Sequence, residues 1–407
     1  MKTLVFSPQY NEEERKSGLR LVNFLSAAGL HAHCSFLDAR IAEGINAAAI
    51  HPYDIPLLAR LSLALDIHNI LNSDCVVGIL DGEDEGVLVK LGIAYILGIS
   101  VYLFKNDVRA TFAAGENSMV LGLSPRKPFS DAKKLKDALI KRRGEKCKPA
   151  ERLSAVIEDL AKLGGEVKKH LNAGLAALAE RFRESPALAR FKAAETGELA
   201  AFGGGRVYCS GPLFSPCEHR EMQKIANIFE AEGVFAYLPQ RDGAEPFIIG
   251  SMAGPLAGSL LVKPFLRKIH DVIFCVDVKE LLSSDYFICN LNGRFYDEGA
   301  MVEAGMAFAA GKPIALYLND LRGVFIGGVH TVLAALSPLP PAQNAEMLTL
   351  FSARAAAAYD GKDSGFEAEG MAAAAAQRGA KYLKLLSSLK KPENKMLGWL
   401  EGCDEKE

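Results

Sequence analysis

The chain has eight cysteines but no CxxC pair. Structural zinc and dithiol centres need thiols at short, fixed spacing, so the spacing offers nothing to a metal or redox site. The cysteines sit mostly in apolar segments, such as VIFCV at 272–276 and YFICN at 286–290, and read as buried reduced thiols. A surplus of positive charge is also missing. Lys plus Arg number 47 and Asp plus Glu 49, a formal net charge of −2, without the basic surface that a nucleic-acid footprint requires. Long hydrophobic runs are absent too. The longest, Ile93 to Phe104, falls far short of the roughly 20 residues that cross a bilayer. The opening MKTLVFSPQYNEEE carries neither the long apolar region nor the cleavage site of an export signal, so the cytoplasm is the expected location.

What the chain does have is length and alternation. Its 407 residues, 49% hydrophobic and 24% charged, suffice for two domains, each with its own core. KTLVF at 2–6 reads as a buried strand. Asn11 to Gly29 places Leu19, Val22, Leu25 and Ala28 at helical spacing, with Gly29 as the stop. His31 to Phe36 is a second strand candidate, CVVGIL at 75–80 a third, and DGEDEG at 81–86 a loop. Val87 to Leu97 reads as a helix closed by Gly98, and Ile99 to Phe104 as the next strand. This alternation predicts a doubly wound parallel sheet, an α/β fold with helices on both faces.

From Ser130 to Ala201 the composition turns to Lys, Ala, Glu and Leu and strand signals fade. The pattern predicts a helical connecting arm over 130–202, after a first domain at 1–129. The basic run at 133–148 reads as a solvated helix face. After Gly203-Gly204-Gly205 the alternation resumes, which predicts a second domain at 203–345 and an Ala-rich helical extension at 346–407.

The two domains match each other. Asp66 to Asp74 spans eight residues, as does Asp277 to Asp285. Asp84-Glu85-Gly86 aligns with Asp297-Glu298-Gly299; Gly92, Ala94 and Gly98 align with Gly305, Ala307 and Gly311; Asn106-Asp107 aligns with Asn319-Asp320. Only a two-residue gap is needed, and the chain reads as two copies of one α/β domain. One difference stands out: Lys90 occupies the position of Glu303.

Glu303 lies about one turn into its helix among Val302, Ala304 and Gly305. An acid among small apolar residues needs a partner or a purpose. A solvated glutamate, or a pair with a lysine such as Lys312, is the structural alternative. Asp297 fits a helix N-cap. Yet the loop and helix start lie where open α/β sheets bind ligands. Three acids in one stretch (Asp277, Asp297 and Glu303) fit a carboxylate nucleophile with a second acid.

Four separated segments then fall in order: Tyr208-Cys-Ser-Gly211-Pro212-Leu-Phe214, LPQRDG, Asp277 eight residues before Asp285, and Asp297-x-Gly299-x-x-x-Glu303-x-Gly305-x-Ala307-x-x-x-Gly311-Lys312. Over 206–337 this resembles the nucleoside 2-deoxyribosyltransferase family. The resemblance implies a flavodoxin-like, five-stranded parallel sheet, and substrates that are 2′-deoxynucleosides or deoxynucleotides and free bases. It implies no cofactor or metal. Glu303 would attack the anomeric carbon and form a deoxyribosyl ester, with Tyr208 orienting it. Asp277 and Asp297 would bind and protonate the base, Phe214 would pack on it, and Gln240 would contact it. Gly211 and Gly299 would belong to the substrate-binding residues. Relatives that hydrolyse 2′-deoxynucleoside 5′-monophosphates are the alternative, and would need phosphate donors such as Ser210, Ser215 or Arg220. A non-catalytic nucleotide sensor is the alternative of another class.

The first copy departs from the pattern. Lys90 cannot form the ester, and Leu4 stands where Tyr208 does. It does keep Asn117-Ser118-Met119, which resembles the family's segment that reaches into a neighbouring subunit's site. The second copy has His330 there, which reads as a loop histidine. The expectation is an intramolecular pseudo-dimer with one site, Glu303 from the second copy and Asn117 from the first.

Overall fold

A computed structural model of the chain describes residues 1–8, 11–34, 63, 66–67, 69–107, 117–124, 126–141, 205–243, 270, 273–274, 277–278, 280–293, 296–320, 329–337 and 339–350. Most of the expected connecting arm and the C-terminal extension lie outside the described residues, as do the acids and bases at 142–204.

The first half runs β1 (Lys2–Phe6), α1 (Glu12–Ala27), β2 (His31–Cys34), β3 (Cys75–Ile79), α2 (Glu85–Ile96), β4 (Ser100–Phe104), α3 (Ser118–Gly122) and α4 (Ala132–Lys141). The second half runs β5 (Arg206–Ser210), α5 (Pro216–Ala231), β6 (Phe235–Tyr237), the short α6 (Pro239–Asp242), β7 (Tyr286–Asn290), α7 (Glu298–Ala309), β8 (Ile314–Tyr317) and α8 (Thr331–Leu336). Each half forms a four-stranded sheet, ordered β2-β1-β3-β4 and β6-β5-β7-β8. All six pairings are parallel. Beyond β4 and β8, where a fifth strand would lie, the described residues show single parallel bridges, Phe104 with Phe129 and Tyr317 with Ala342. This is a duplicated, flavodoxin-like α/β architecture.

Local chemistry repeats with the topology. Asn11 and Ser215 each open a helix with a reciprocal capping box, to Glu14 and Glu218. Asp74 accepts the Lys2 amide at 2.7 Å and Asp285 the Arg206 amide at 2.8 Å. After the central strand, Asp81 accepts the amides of Asn106 and Asp107, as Asn292 accepts those of Asn319 and Asp320. The segment LPQRDG closes into the four-residue α6 with Pro239 in its first turn. The described part of the expected arm, α4, buries Leu135, Ala138 and Leu139 against the first sheet.

Strand alternation divides each core. Val5 and Val77 face α1 and α4, and Val207 and Cys209 face α5. On the other faces Leu4, Phe6, Tyr208 and Phe287 join one cluster that spans both halves through α2 and α7. These helices cross at glycines. A Cβ on Gly92 would lie 2.2 Å from the Val302 carbonyl oxygen, and one on Gly305 would lie 2.0 Å from that of Val89. Among the described residues no helix is long and apolar enough to cross a membrane.

Gly92→Ala and Gly305→Ala each force backbone apart. Each is expected to cost about 1–3 kcal/mol, read as a lower urea midpoint of the full chain. Unchanged midpoints would show that the helices do not cross this closely.

Candidate active site

The helix α7, part of the cluster shared by the two halves, carries a buried carboxylate. Glu303 is 5% exposed, and burying a charge there demands strong compensation. β5 supplies it from two consecutive inward positions. The Tyr208 hydroxyl donates to Glu303 Oε1 at 2.8 Å, and the Ser210 hydroxyl donates to Oε2 at 2.6 Å. Tyr208 is itself fixed between Tyr237 and Phe287, with ring centroids at 5.2 and 5.9 Å. Lys312, the lysine named as a structural partner, instead donates to the carbonyls of Leu282 and Ser284.

Asp297 caps α7, its Oδ1 accepting the Ala300 amide at 2.6 Å. Burial pushes its carboxyl up to about 7; the negative charges of Glu303 and Glu218 add to the rise, against hydrogen bonds from Ala300 and Gly299. Next to it, burial and then Asp297 push Glu298 up to about 8, with Glu83 of the first half within hydrogen-bonding reach. Asp277, on helical residues ahead of β7, is 2% exposed and accepts from the Tyr237 hydroxyl at 3.2 Å. Beneath the acids lies Cys289, whose thiol is raised well above its ordinary range by burial and then by Glu303 and Asp297.

The turn after β5 borders these groups. A Cβ on Gly211 would lie 2.7 Å from the Asn290 Cβ, so only glycine lets the strand end pass there. Phe214 is 55% exposed on this turn. Glu218 Oε2 holds the turn through the amides of Phe214 and Ser215. Gln240 is tied down by Nε2 to the His219 carbonyl, while its buried Oε1 has no partner among the described residues.

The first half contributes directly. Asn117 caps α3, its Oδ1 accepting the Met119 amide at 2.8 Å. A Cβ on Gly299 would lie 2.9 Å from both Asn117 Nδ2 and Oδ1, and 3.0 Å from Asp297 Oδ1. The asparagine of one half and the aspartate of the other thus meet over a glycine. Ser118 adds a 2.7 Å hydrogen bond to His270. The structure therefore groups Glu303, Tyr208, Asp297, Gly299 and Asn117, and sets Asp277 behind the Tyr208–Tyr237 stack.

Sequence reasoning treated Ser210 as a phosphate donor and missed its bond to Glu303. The signal was present: in a strand, Ser210 shares the face of Tyr208 two residues earlier. The other two phosphate-donor candidates are also engaged, Ser215 in capping α5 and Arg220 with Cys217.

The equivalent place in the first half carries different chemistry. Lys90 Nζ lies 3.0 Å from Asp66 Oδ2, with side chains 11% and 6% exposed, and 5.1 Å from the Phe6 ring centroid. His330 of the second half caps α8 and packs over Gly86, mirroring Asn117 over Gly299. Burial lowers its imidazole and raises the nearby Asp84 carboxyl.

Residues 207–371 match the model of the family described as nucleoside 2-deoxyribosyltransferase. A search of the curated proteins finds no match.

Lys90→Met leaves Asp66 buried without its ion partner, a loss expected to cost about 3–5 kcal/mol. Urea unfolding should show most of that stability returning in Lys90→Met/Asp66→Asn.

Proposed function

We propose that the second half cleaves the N-glycosidic bond of 2′-deoxynucleosides by double displacement at Glu303. The sugar passes to a second nucleobase or to water, and Asn117 of the first half completes the site. The observation that carries this reading is the buried Glu303 carboxylate, held through both oxygens beside a second acid near neutrality. The family match of residues 207–371 supports it.

In the first step a Glu303 oxygen attacks C1′, and the electrons of the C–N bond leave with the base. Asp297, pushed up to about 7, exchanges its proton near neutral pH, and its protonated form delivers that proton to the departing nitrogen. In the second step the Asp297 carboxylate takes a proton from the incoming base or water. That nucleophile attacks C1′, the ester C–O bond breaks, and Glu303 returns as a carboxylate. Two displacements give retention, as in a retaining glycosidase. Asp277 orients the base from behind Tyr237, and the exposed Phe214 ring offers it a stacking face. Asn117 Oδ1 is bound to Met119, so its Nδ2 is the donor it offers to the sugar. The chain is thus a fused pair of copies with one working site. An uncharged nucleoside suits it better than a 5′-monophosphate, because the Ser210 hydroxyl is already committed as a donor to Glu303.

Base exchange between a 2′-deoxynucleoside and a second base, followed by chromatography, tests this. Glu303→Ala should lose both exchange and the covalent deoxyribosyl adduct; exchange at the wild-type rate would sink the proposal. Asp297→Asn should lose about 100- to 10,000-fold. Below about 7 Asp297 is protonated, so the base-departure step should be fast there and fall as pH rises through 7. Asn117→Ala, in the other half, should lower kcat/KM roughly tenfold, the loss of one hydrogen bond.

A further inference from the structure

We propose that Ser210 is a positioning residue for the nucleophile, setting the pH at which Glu303 becomes reactive. The proposal rests on the reading of Glu303 given above. Ser210 is 1% exposed at the last position of β5, the end of the strand nearest the substrate loops. Its hydroxyl donates to Glu303 Oε2, the oxygen that Tyr208 does not hold. A hydroxyl donor favours the ionised carboxylate over the acid. Two donors on two oxygens also stop the carboxylate from rotating, so one lone pair is presented to C1′ in a fixed direction.

The first half supplies an internal comparison. β1 and β5 occupy the same place in their sheets, and the register pairs Leu4 with Val76 as Tyr208 pairs with Phe287. Phe6 therefore stands where Ser210 stands. It presents its ring to Lys90, the residue in the place of Glu303. Three inward positions change together, Tyr, Ser and Glu in one half and Leu, Phe and Lys in the other. The strand-end residue follows the charge on the helix: a hydroxyl donor faces the carboxylate and an aromatic face the ammonium. Packing alone would not ask for that match.

When the ester forms, the two oxygens cease to be equivalent, one becoming the carbonyl and the other the bond to C1′. The hydroxyl on the carbonyl oxygen then stabilises the leaving carboxylate of the second step. Loss of Ser210 should therefore slow both displacements.

The test compares wild type, Ser210→Ala, Ser210→Thr and Glu303→Ala in the full chain, by base exchange across pH. Ser210→Ala should raise the acid limb of the kcat/KM profile by about one pH unit and lower kcat about tenfold. Ser210→Thr, which keeps the hydroxyl on a strand-compatible side chain, should return the limb toward wild type. If Ser210→Ala leaves the limb unmoved, whether or not kcat falls, the hydroxyl does not act through Glu303 and the proposal is overturned. A limb that moves equally in Ser210→Thr, by loss of fit rather than of the donor, overturns it as well. Activity surviving in Glu303→Ala would instead overturn the nucleophile assignment, a separate failure.

Discussion

The close crossing of α2 and α7 is the constraint on which the rest depends. Gly92 and Gly305 remove the side chains that would hold the helices apart, and each backbone seats against a carbonyl of the other helix. The approach fuses the inner faces of both sheets into one core. It also fixes what lies beside each helix start. Because the crossing is pseudo-symmetric, Asn117 arrives over Gly299 and His330 over Gly86. Neither half could place these residues alone, since each comes from the far side of the interface.

A core this apolar makes buried charge expensive, and the two halves compensate it in opposite ways. In the second half the charge is a carboxylate with hydrogen bonds from hydroxyls on the adjacent strand. Hydroxyl donors favour the ionised carboxylate over the acid, as the proposed nucleophile requires. In the first half the charge is an ammonium neutralised by Asp66 and covered by Phe6. That pair engages Asp66, the equivalent of Asp277, which in the second half accepts the hydroxyl of Tyr237. A neutralised pair gives stability without reactivity. The same backbone thus supports a structural core on one side and a poised acid on the other.

Much of this was legible in the sequence. Spaced acids and glycines marked the repeat because each has a fixed backbone duty: Asp74 and Asp285 hold strand amides, and Asp84 and Asp297 cap equivalent helices. Element order followed from alternation. The four-residue α6 escaped because one turn is too short to show a period. Ser210 escaped for another reason. In a strand buried on both faces, a serine beside a glycine resembles the start of a loop, and only the helix packed above reveals its acceptor. The approach of Glu83 to Glu298 was also hidden, because it depends on how the halves pack and not on either half's pattern.

The acids at the start of α7 oppose the usual logic of a helix N-terminus. The helix dipole favours anions there by about 0.3–1 kcal/mol, which would keep Asp297 and Glu298 readily ionised. Burial and mutual repulsion outweigh it and push them up to about 7 and about 8. Such crowding destabilises the resting state, since each added negative charge makes the next harder to form. In the proposed reaction, a cation developing at C1′ would reverse that balance. It would be attracted to every ionised carboxylate in the cluster, while the same cluster would hold a proton for the departing base. The field would therefore act more strongly on a sugar with oxocarbenium character than on the neutral nucleoside, which is the differential interaction that accelerates a reaction.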